Sequence, residues 1–124
     1  MKYELLVFDW DGTLLDSACA IVRAIQAACR DLDLPIPPDR QARHVIGLGL
    51  VDAMRHAVPD LPPERYQEMA NRYRLHYLSG DHELTLFEGV PEMLANLWQA
   101  GHVLAIATGK SRIGLERALD HSGL

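Results

Sequence analysis

Two carboxylates separated by one residue, Asp9 and Asp11, follow directly after the short apolar run 5–8. That run has the length and composition of a buried parallel strand, and open α/β sheets bind ligands beyond the carboxyl ends of their strands. We therefore expect both carboxylates to line such a crevice, where Mg²⁺ would relieve their mutual repulsion. One carboxylate could then attack a phosphorus atom, while the other exchanges protons with the leaving group and with water.

Residues suited to holding a phosphate group stand beside these carboxylates or at the end of a second apolar run. Gly12 permits a tight turn whose N–H groups can face an anion. The run 102–107 reads as a second buried strand, and it ends at Thr108 and Gly109, just before a predicted helix. A helix amino terminus favours an anion. Lys110 comes next and could reach a phosphate, although a surface position is the more ordinary expectation for it.

Apolar spacing predicts helices through most of the chain between the two strands. The first helix starts near Asp16 and Ser17, either of which could cap it, and carries both cysteines, Cys19 and Cys29, which we expect to be reduced core thiols. The tyrosines of the last of these helices share its apolar face. We therefore expect an α/β fold whose first strand is followed by a helical insertion, with the core formed by residues 1–16 and 83–124 and the insertion by residues 17–82.

Two further helices are predicted around the second strand. An amphipathic helix begins at Pro91 and stops at Gly101, with Met93 and Trp98 on its apolar face. The last helix follows the second strand, and Ser111 can cap it.

The composition narrows the classes of partner. The 124 residues contain 48% hydrophobic and 23% charged residues, which predicts a packed globular domain. With 12 basic and 17 acidic residues the formal charge is −5, so we do not expect a nucleic-acid or anionic-membrane binder. The sequence has no signal-peptide pattern and no run of about 20 apolar residues. A cytoplasmic location is therefore expected.

The segments FDWDGTLLDS and ATGK resemble the first two motifs of the haloacid dehalogenase superfamily. The intervening helices are similar to the cap of the subgroup that includes phosphoglycolate phosphatases and β-phosphoglucomutases. The resemblance implies a Rossmann-type parallel sheet with an inserted helical cap, and Mg²⁺ as the cofactor. It makes Asp9 the nucleophile and a metal ligand, and Asp11 the general acid and base with its carbonyl on the metal. It also makes Thr108 the hydroxyl that holds a phosphoryl oxygen, helped by the N–H of Gly109.

The same family uses a lysine and an acidic pair that follow later core strands, and neither is found before Leu124. Two strands alone would also leave open sheet edges. We therefore expect these residues to be the amino-terminal part of a protein of about 200–230 residues. Self-association, or pairing with a carboxy-terminal fragment, is the alternative.

The resemblance implies a small phosphorylated metabolite as the substrate, which could be phosphoglycolate or another small phosphomonoester. In the insertion, Arg43 could bind a substrate carboxylate or second phosphate, and the break around Gly47 could face the site. Two alternatives remain open. A sugar-phosphate mutase would use the same carboxylates, and a catalytically incomplete chain could act as a Mg²⁺-binding or interaction module.

Overall fold

The computed structural model describes residues 2–124. Two short parallel strands and six α-helices follow one another in the predicted order. They are β1 (Leu5–Phe8), α1 (Ala18–Asp31), α2 (Asp39–Arg43), α3 (Leu50–Ala57), α4 (Tyr66–Gly80), α5 (Val90–Gln99), β2 (Val103–Ile106) and α6 (Arg112–Ser122), with 3₁₀ turns at Pro63–Arg65 and Asp81–Glu83. Within residues 2–124, none of the helices is long and apolar enough to cross a membrane.

The two strands pair in parallel, so that their carboxyl ends lie at the same edge of the sheet. Leu5 is opposite Val103 and Phe8 is opposite Ile106, and the N–H of Ala107 donates to the carbonyl oxygen of Phe8 over 2.9 Å. The loops that follow β1 and β2 therefore leave the sheet side by side.

Only one face of this small sheet is covered. Phe8 and Ile106 pack with Leu94 of α5 and Leu115 of α6, whereas Leu5 and Val7 on the other face are 54% and 56% exposed. The expectation that β1 is buried on both faces is therefore wrong for the described residues. The cause is the alternation of side chains along a strand, because α5 and α6 can cover only one of the two faces.

Part of the predicted apolar face of α5 is also uncovered. Val90 is buried and Leu94 packs beside it, but Met93 and Trp98 are 38% and 66% exposed. α6 starts as predicted, since Ser111 Oγ accepts a hydrogen bond from the N–H of Gly114 over 3.1 Å.

Helices α1 to α4 and the second 3₁₀ turn form a continuous block, residues 18–83, which we call the helical insert. α1 packs mainly on α4, and the insert has a hydrophobic cluster of its own. The buried members of this cluster are Ile21, Ile25, Ala28, Cys29, Val45, Met54, Ala57, Val58, Leu61, Met69 and Ala70. Tyr66, Tyr73 and Tyr77 pack against it as expected, but Cys19 is exposed, so only Cys29 is a core thiol.

The chain enters and leaves the helical insert through two neighbouring segments that are hydrogen-bonded to each other. The N–H of Asp16 donates to the carbonyl of Thr85, and the N–H of Phe87 donates to the carbonyl of Leu14, both over 2.9 Å. Beneath them lies a second apolar cluster, centred on the fully buried Trp10.

The loop that joins α2 to α3 rests on the loop that follows β2. A Cβ atom placed on Gly109 would lie 2.5 Å from the carbonyl oxygen of Leu48 and 2.9 Å from the nitrogen of Gly49. Because both neighbours are backbone atoms, no side-chain rotation could relieve such contacts.

We therefore expect Gly109→Ala to separate the helical insert from the sheet and to lower the free energy of unfolding by about 1–3 kcal/mol. Urea denaturation of both proteins measures this effect. Gly80→Ala is the matched control, since a Cβ there meets no atom within 4 Å. Equal stability of the Gly109→Ala variant and the parent would show that this loop does not rest on Gly109.

A bidentate ion pair joins α6 to the 3₁₀ turn at the end of the helical insert. Arg117 Nε and Nη2 donate to the two carboxylate oxygens of Asp81 over 3.0 and 2.8 Å. These hydrogen bonds hold the pKa of the Asp81 carboxyl below its ordinary value, although partial burial opposes them.

Because this pKa is lower in the folded state, the stabilisation is complete above the unfolded pKa of about 4 and is lost as the pH falls below it. Arg117→Gln should therefore lower the free energy of unfolding at pH 6 by about 1 kcal/mol or less, since Arg117 is half exposed. The difference should shrink as the pH approaches 2, as pH-dependent urea denaturation would show. Arg23→Gln on α1 is the control, and a difference that did not change with pH would contradict the assignment.

Candidate active site

The loop that follows β1 is a tight turn built around one carbonyl group. The carbonyl oxygen of Trp10 accepts hydrogen bonds from the N–H groups of Thr13, Leu14 and Leu15 at 3.0–3.2 Å. Gly12 has a φ of +75°, a conformation that favours glycine. The indole of Trp10 is fully buried and anchors the turn in the second apolar cluster.

The carboxylates of Asp9 and Asp11 are held on either side of Trp10. Asp9 Oδ1 accepts a hydrogen bond from the N–H of Trp10 over 2.8 Å, and the rest of Asp9 is exposed. Asp11 Oδ1 accepts from the hydroxyl of Ser17 over 2.8 Å, and the Asp11 side chain is 12% exposed.

Ser17 thereby has a role that differs from the predicted cap. Its side chain is fully buried and makes no capping hydrogen bond to α1. A hydrogen bond to a carboxylate is stronger than one to a neutral N–H group, which explains why the hydroxyl turns toward Asp11. Asp16, the other predicted cap, is exposed.

The loop that follows β2 brings a hydroxyl and an ammonium group to the same edge. Thr108 Oγ1 accepts a hydrogen bond from the N–H of Lys110 over 3.2 Å, at the turn that leads into α6. Lys110 Nζ lies 3.7 Å from Asp11 Oδ2, and its side chain is 18% exposed. Lys110 therefore stands beside the carboxylates and not on the open surface.

An aromatic side chain of the helical insert completes the surroundings of Lys110. Its Nζ lies 4.8 Å from the centre of the Tyr77 ring, on α4, a distance typical of a cation–π contact. Tyr77 is stacked on Tyr73, with ring centres 5.8 Å apart. Burial raises the pKa of both phenols, and the nearby charge of Asp11 raises them further. Both tyrosines are therefore neutral at physiological pH.

The loop between α2 and α3 also lies close to the carboxylates. Gly47 has a φ of +92°, and a Cβ placed there would lie 3.4 Å from Asp9 Oδ2. A Cβ on Gly12 would lie 3.5 Å from the side chain of Ile46. The structure thus brings Gly47 to Asp9.

A cavity of about 1190 Å³ lies between the helical insert and the ends of the strands. Asp11, Gly47, Gly109 and Lys110 belong to its lining. Arg43 does not. It lines a separate surface pocket with Asp39, Arg40 and His44.

Mg²⁺ is commonly held by one or two carboxylates and keeps several waters. Oxygen donors of this kind are present at the strand ends. The carboxylate of Asp9 and the carbonyl oxygen of Asp11 could supply two such oxygen ligands. Among residues 2–124 there is no group of three or more His, Cys, Asp or Glu side chains placed to hold a metal. The oxygen atoms of Asp9 and Asp11 are thus the donors in the described residues that fit Mg²⁺ at the strand ends.

Two residues at the site could not be identified from the sequence as site residues. Ser17 lies in the same short segment as Asp11, and its spacing of six residues is the only signal that could have linked them. Tyr77 belongs to the apolar face of α4, and no pattern connects it with Lys110.

A family model described as haloacid dehalogenase-like hydrolase matches residues 6–124. The tyrosine-protein kinase PtkA of Mycobacterium tuberculosis is 34% identical over 122 residues, which cover 98% of this chain and 41% of that protein. The phosphoglycolate phosphatase of Aliivibrio fischeri is 36% identical over 115 residues, which cover 86% of this chain and 51% of that protein.

A similar fold is found in the crystal structure of a predicted phosphoglycolate phosphatase from Haemophilus somnus. Its TM-score is 0.84 at 24% identity, over 99% of this chain and 59% of that one. The chain spans about half the length of such relatives. The match of the family model to nearly all of the chain shows that it belongs to the haloacid dehalogenase-like hydrolase family.

Proposed function

We propose that this chain supplies the nucleophile and the general acid–base group of a Mg²⁺-dependent phosphomonoester hydrolase. The observation that carries this proposal is the meeting of Asp9 and Asp11 with Thr108, Gly109 and Lys110 at the adjacent carboxyl ends of two parallel strands. Family membership supports a phosphatase, and relatives named phosphoglycolate phosphatase suggest a small phosphorylated metabolite as the substrate.

In the proposed reaction Asp9 attacks the phosphorus atom, and the bond to the leaving oxygen breaks. Asp11 gives a proton to that oxygen and then takes one from the water that hydrolyses the aspartyl-phosphate. Mg²⁺, when held by the Asp9 carboxylate and the carbonyl oxygen of Asp11, would supply positive charge against the phosphoryl oxygens.

The other residues orient these groups. Ser17 engages Asp11 Oδ1, which leaves Oδ2 on the side of Lys110. The Thr108 hydroxyl, the N–H of Gly109 and the turn at Gly12 would contact the phosphoryl oxygens, and Lys110 would offset their charge.

We further propose that residues 1–16 and 83–124 form the catalytic core and residues 17–82 a cap that limits access of water and chooses the leaving group. Two separate hydrophobic clusters support this division, one within the helical insert and one beneath the strands. Gly47, which approaches Asp9, is the cap residue proposed to face the substrate. Arg43 would act on a substrate only if α2 turned toward the sheet edge.

The nucleophile is tested by Asp9→Asn in the full-length protein. We expect loss of p-nitrophenyl phosphate hydrolysis by roughly 10³-fold or more, because the neutral amide cannot attack phosphorus. Asp60→Asn, at an exposed position between α3 and α4, is the control. Phosphate release should also require Mg²⁺. An Asp9→Asn variant as active as the parent would refute the assignment. With a sugar phosphate as substrate, isomerised product without phosphate release would indicate a mutase.

The phosphate-binding role of Lys110 is tested by Lys110→Met, which keeps most of the side-chain length and removes the charge. We expect inorganic phosphate to inhibit the variant about tenfold less strongly, since a charged hydrogen bond is lost. Lys2→Met is the matched control, because Lys2 is the other lysine of the sequence and is exposed. Unchanged inhibition would place Lys110 outside the phosphate site.

A further inference from the structure

The side chain of Lys110 is long and flexible, so its backbone position alone does not fix where its ammonium group lies. Lys110 Nζ lies 3.7 Å from Asp11 Oδ2. This separation is longer than the about 2.7–2.9 Å of a charge-assisted hydrogen bond between such groups. Asp11 therefore attracts the ammonium group without fixing its direction, and a further contact is needed to hold the cation in one place.

The aromatic ring of Tyr77 supplies a contact of this kind. Lys110 Nζ lies 4.8 Å from the ring centre, within the about 6 Å over which a cation is attracted to an aromatic face. The Lys110 side chain is 18% exposed, and partial removal from water strengthens such an attraction. Burial raises the pKa of the Tyr77 phenol, so the ring is uncharged and meets the cation with its electron-rich face.

The ring of Tyr77 is itself held from two sides. It stacks on Tyr73, with the ring planes 14° apart. One helical turn further along the chain, Asp81 accepts two hydrogen bonds from Arg117 of α6, over 3.0 and 2.8 Å. Because α6 begins two residues after Lys110, this ion pair joins the end of α4 to the segment that carries the cation.

We infer that Tyr77 is a positioning residue of the site, whose ring face holds the ammonium group of Lys110 at the strand ends. Tyr77 would act on a bound phosphate only through Lys110, without touching the phosphate itself. The inference rests on the proposed function for the role of Lys110 toward phosphate, whereas the contact between the ring and the cation does not depend on that function.

Two substitutions of Tyr77 in the full-length protein test the inference. Tyr77→Leu removes the ring and keeps an apolar side chain, and Tyr77→Phe keeps the ring. We expect the inhibition constant of inorganic phosphate to rise about fivefold in Tyr77→Leu and to change less than about twofold in Tyr77→Phe. Tyr66→Leu is the matched control, because Tyr66 lies on α4 and packs against the same hydrophobic cluster. Equal effects of Tyr77→Leu and Tyr77→Phe, or of Tyr77→Leu and Tyr66→Leu, would contradict the inference.

A double-mutant cycle with Lys110→Met separates positioning from a general loss of packing. In the Lys110→Met protein, Tyr77→Leu should cause no further change in phosphate inhibition, because no cation remains to be positioned. A merely structural role would lower the affinity for phosphate by the same factor with or without Lys110. The same fivefold loss in both proteins would therefore refute the inference.

Proton NMR of the full-length protein without phosphate tests the contact separately from the function. Protons above an aromatic face resonate upfield, so the ε-methylene signals of Lys110 should lie upfield of their ordinary position. Lys110→Met identifies these signals by their loss, and Tyr77→Leu should return them toward that position. Signals at the ordinary position in the parent would refute the inference, whether or not the protein hydrolyses phosphate esters. Upfield signals in a protein that phosphate does not inhibit would refute the phosphate-binding role of Lys110 and leave Tyr77 as the residue that positions its cation.

Discussion

The parallel pairing of two four-residue strands is the constraint on which the site depends. β1 and β2 are far apart in the sequence, yet their register sets Phe8 opposite Ile106. Because the strands are parallel, both loops emerge at one edge, and the residues that follow each strand meet there. An antiparallel arrangement would put Thr108 and Lys110 at the opposite edge from Asp9. The parallel direction of the strands thus determines which residues can come together at the site.

The pairing creates an electrostatic difficulty, because it concentrates carboxylates at the place where the proposed phosphate would also bind. Each of the two carboxylates has hydrogen-bond or ion-pair partners. Ser17 and Lys110 engage different oxygens of Asp11, and the N–H of Trp10 engages Asp9. Lys110 is itself held over Tyr77, so an aromatic ring of the helical insert helps to fix the cation at the strand ends. The insert therefore contributes to the charge arrangement of the site as well as covering it.

The sequence predicted the position of an element correctly where a local feature, such as an apolar run or a capping residue, determines it. The apolar run before Asp9 placed β1, and Ser111 marked the start of α6. The sequence could not show what covers each apolar side chain, because periodicity reveals which face is apolar and says nothing of the neighbours. Val7 and Trp98 are therefore exposed against expectation. A hydroxyl with two available partners, such as Ser17, could not be assigned either, since the choice depends on tertiary geometry.

The contacts between the helical insert and the strand ends also constrain how the cavity could open. At the entry and exit, Asp16 and Leu14 are hydrogen-bonded to Thr85 and Phe87, and these bonds tie the two crossing segments together. The loop around Gly47, in contrast, lies close to Asp9 and Gly109. Among the described residues, no hydrogen bond joins this loop to either of them. A motion that admits substrate at least free-energy cost would keep the crossing segments paired and lift the loop from Gly109.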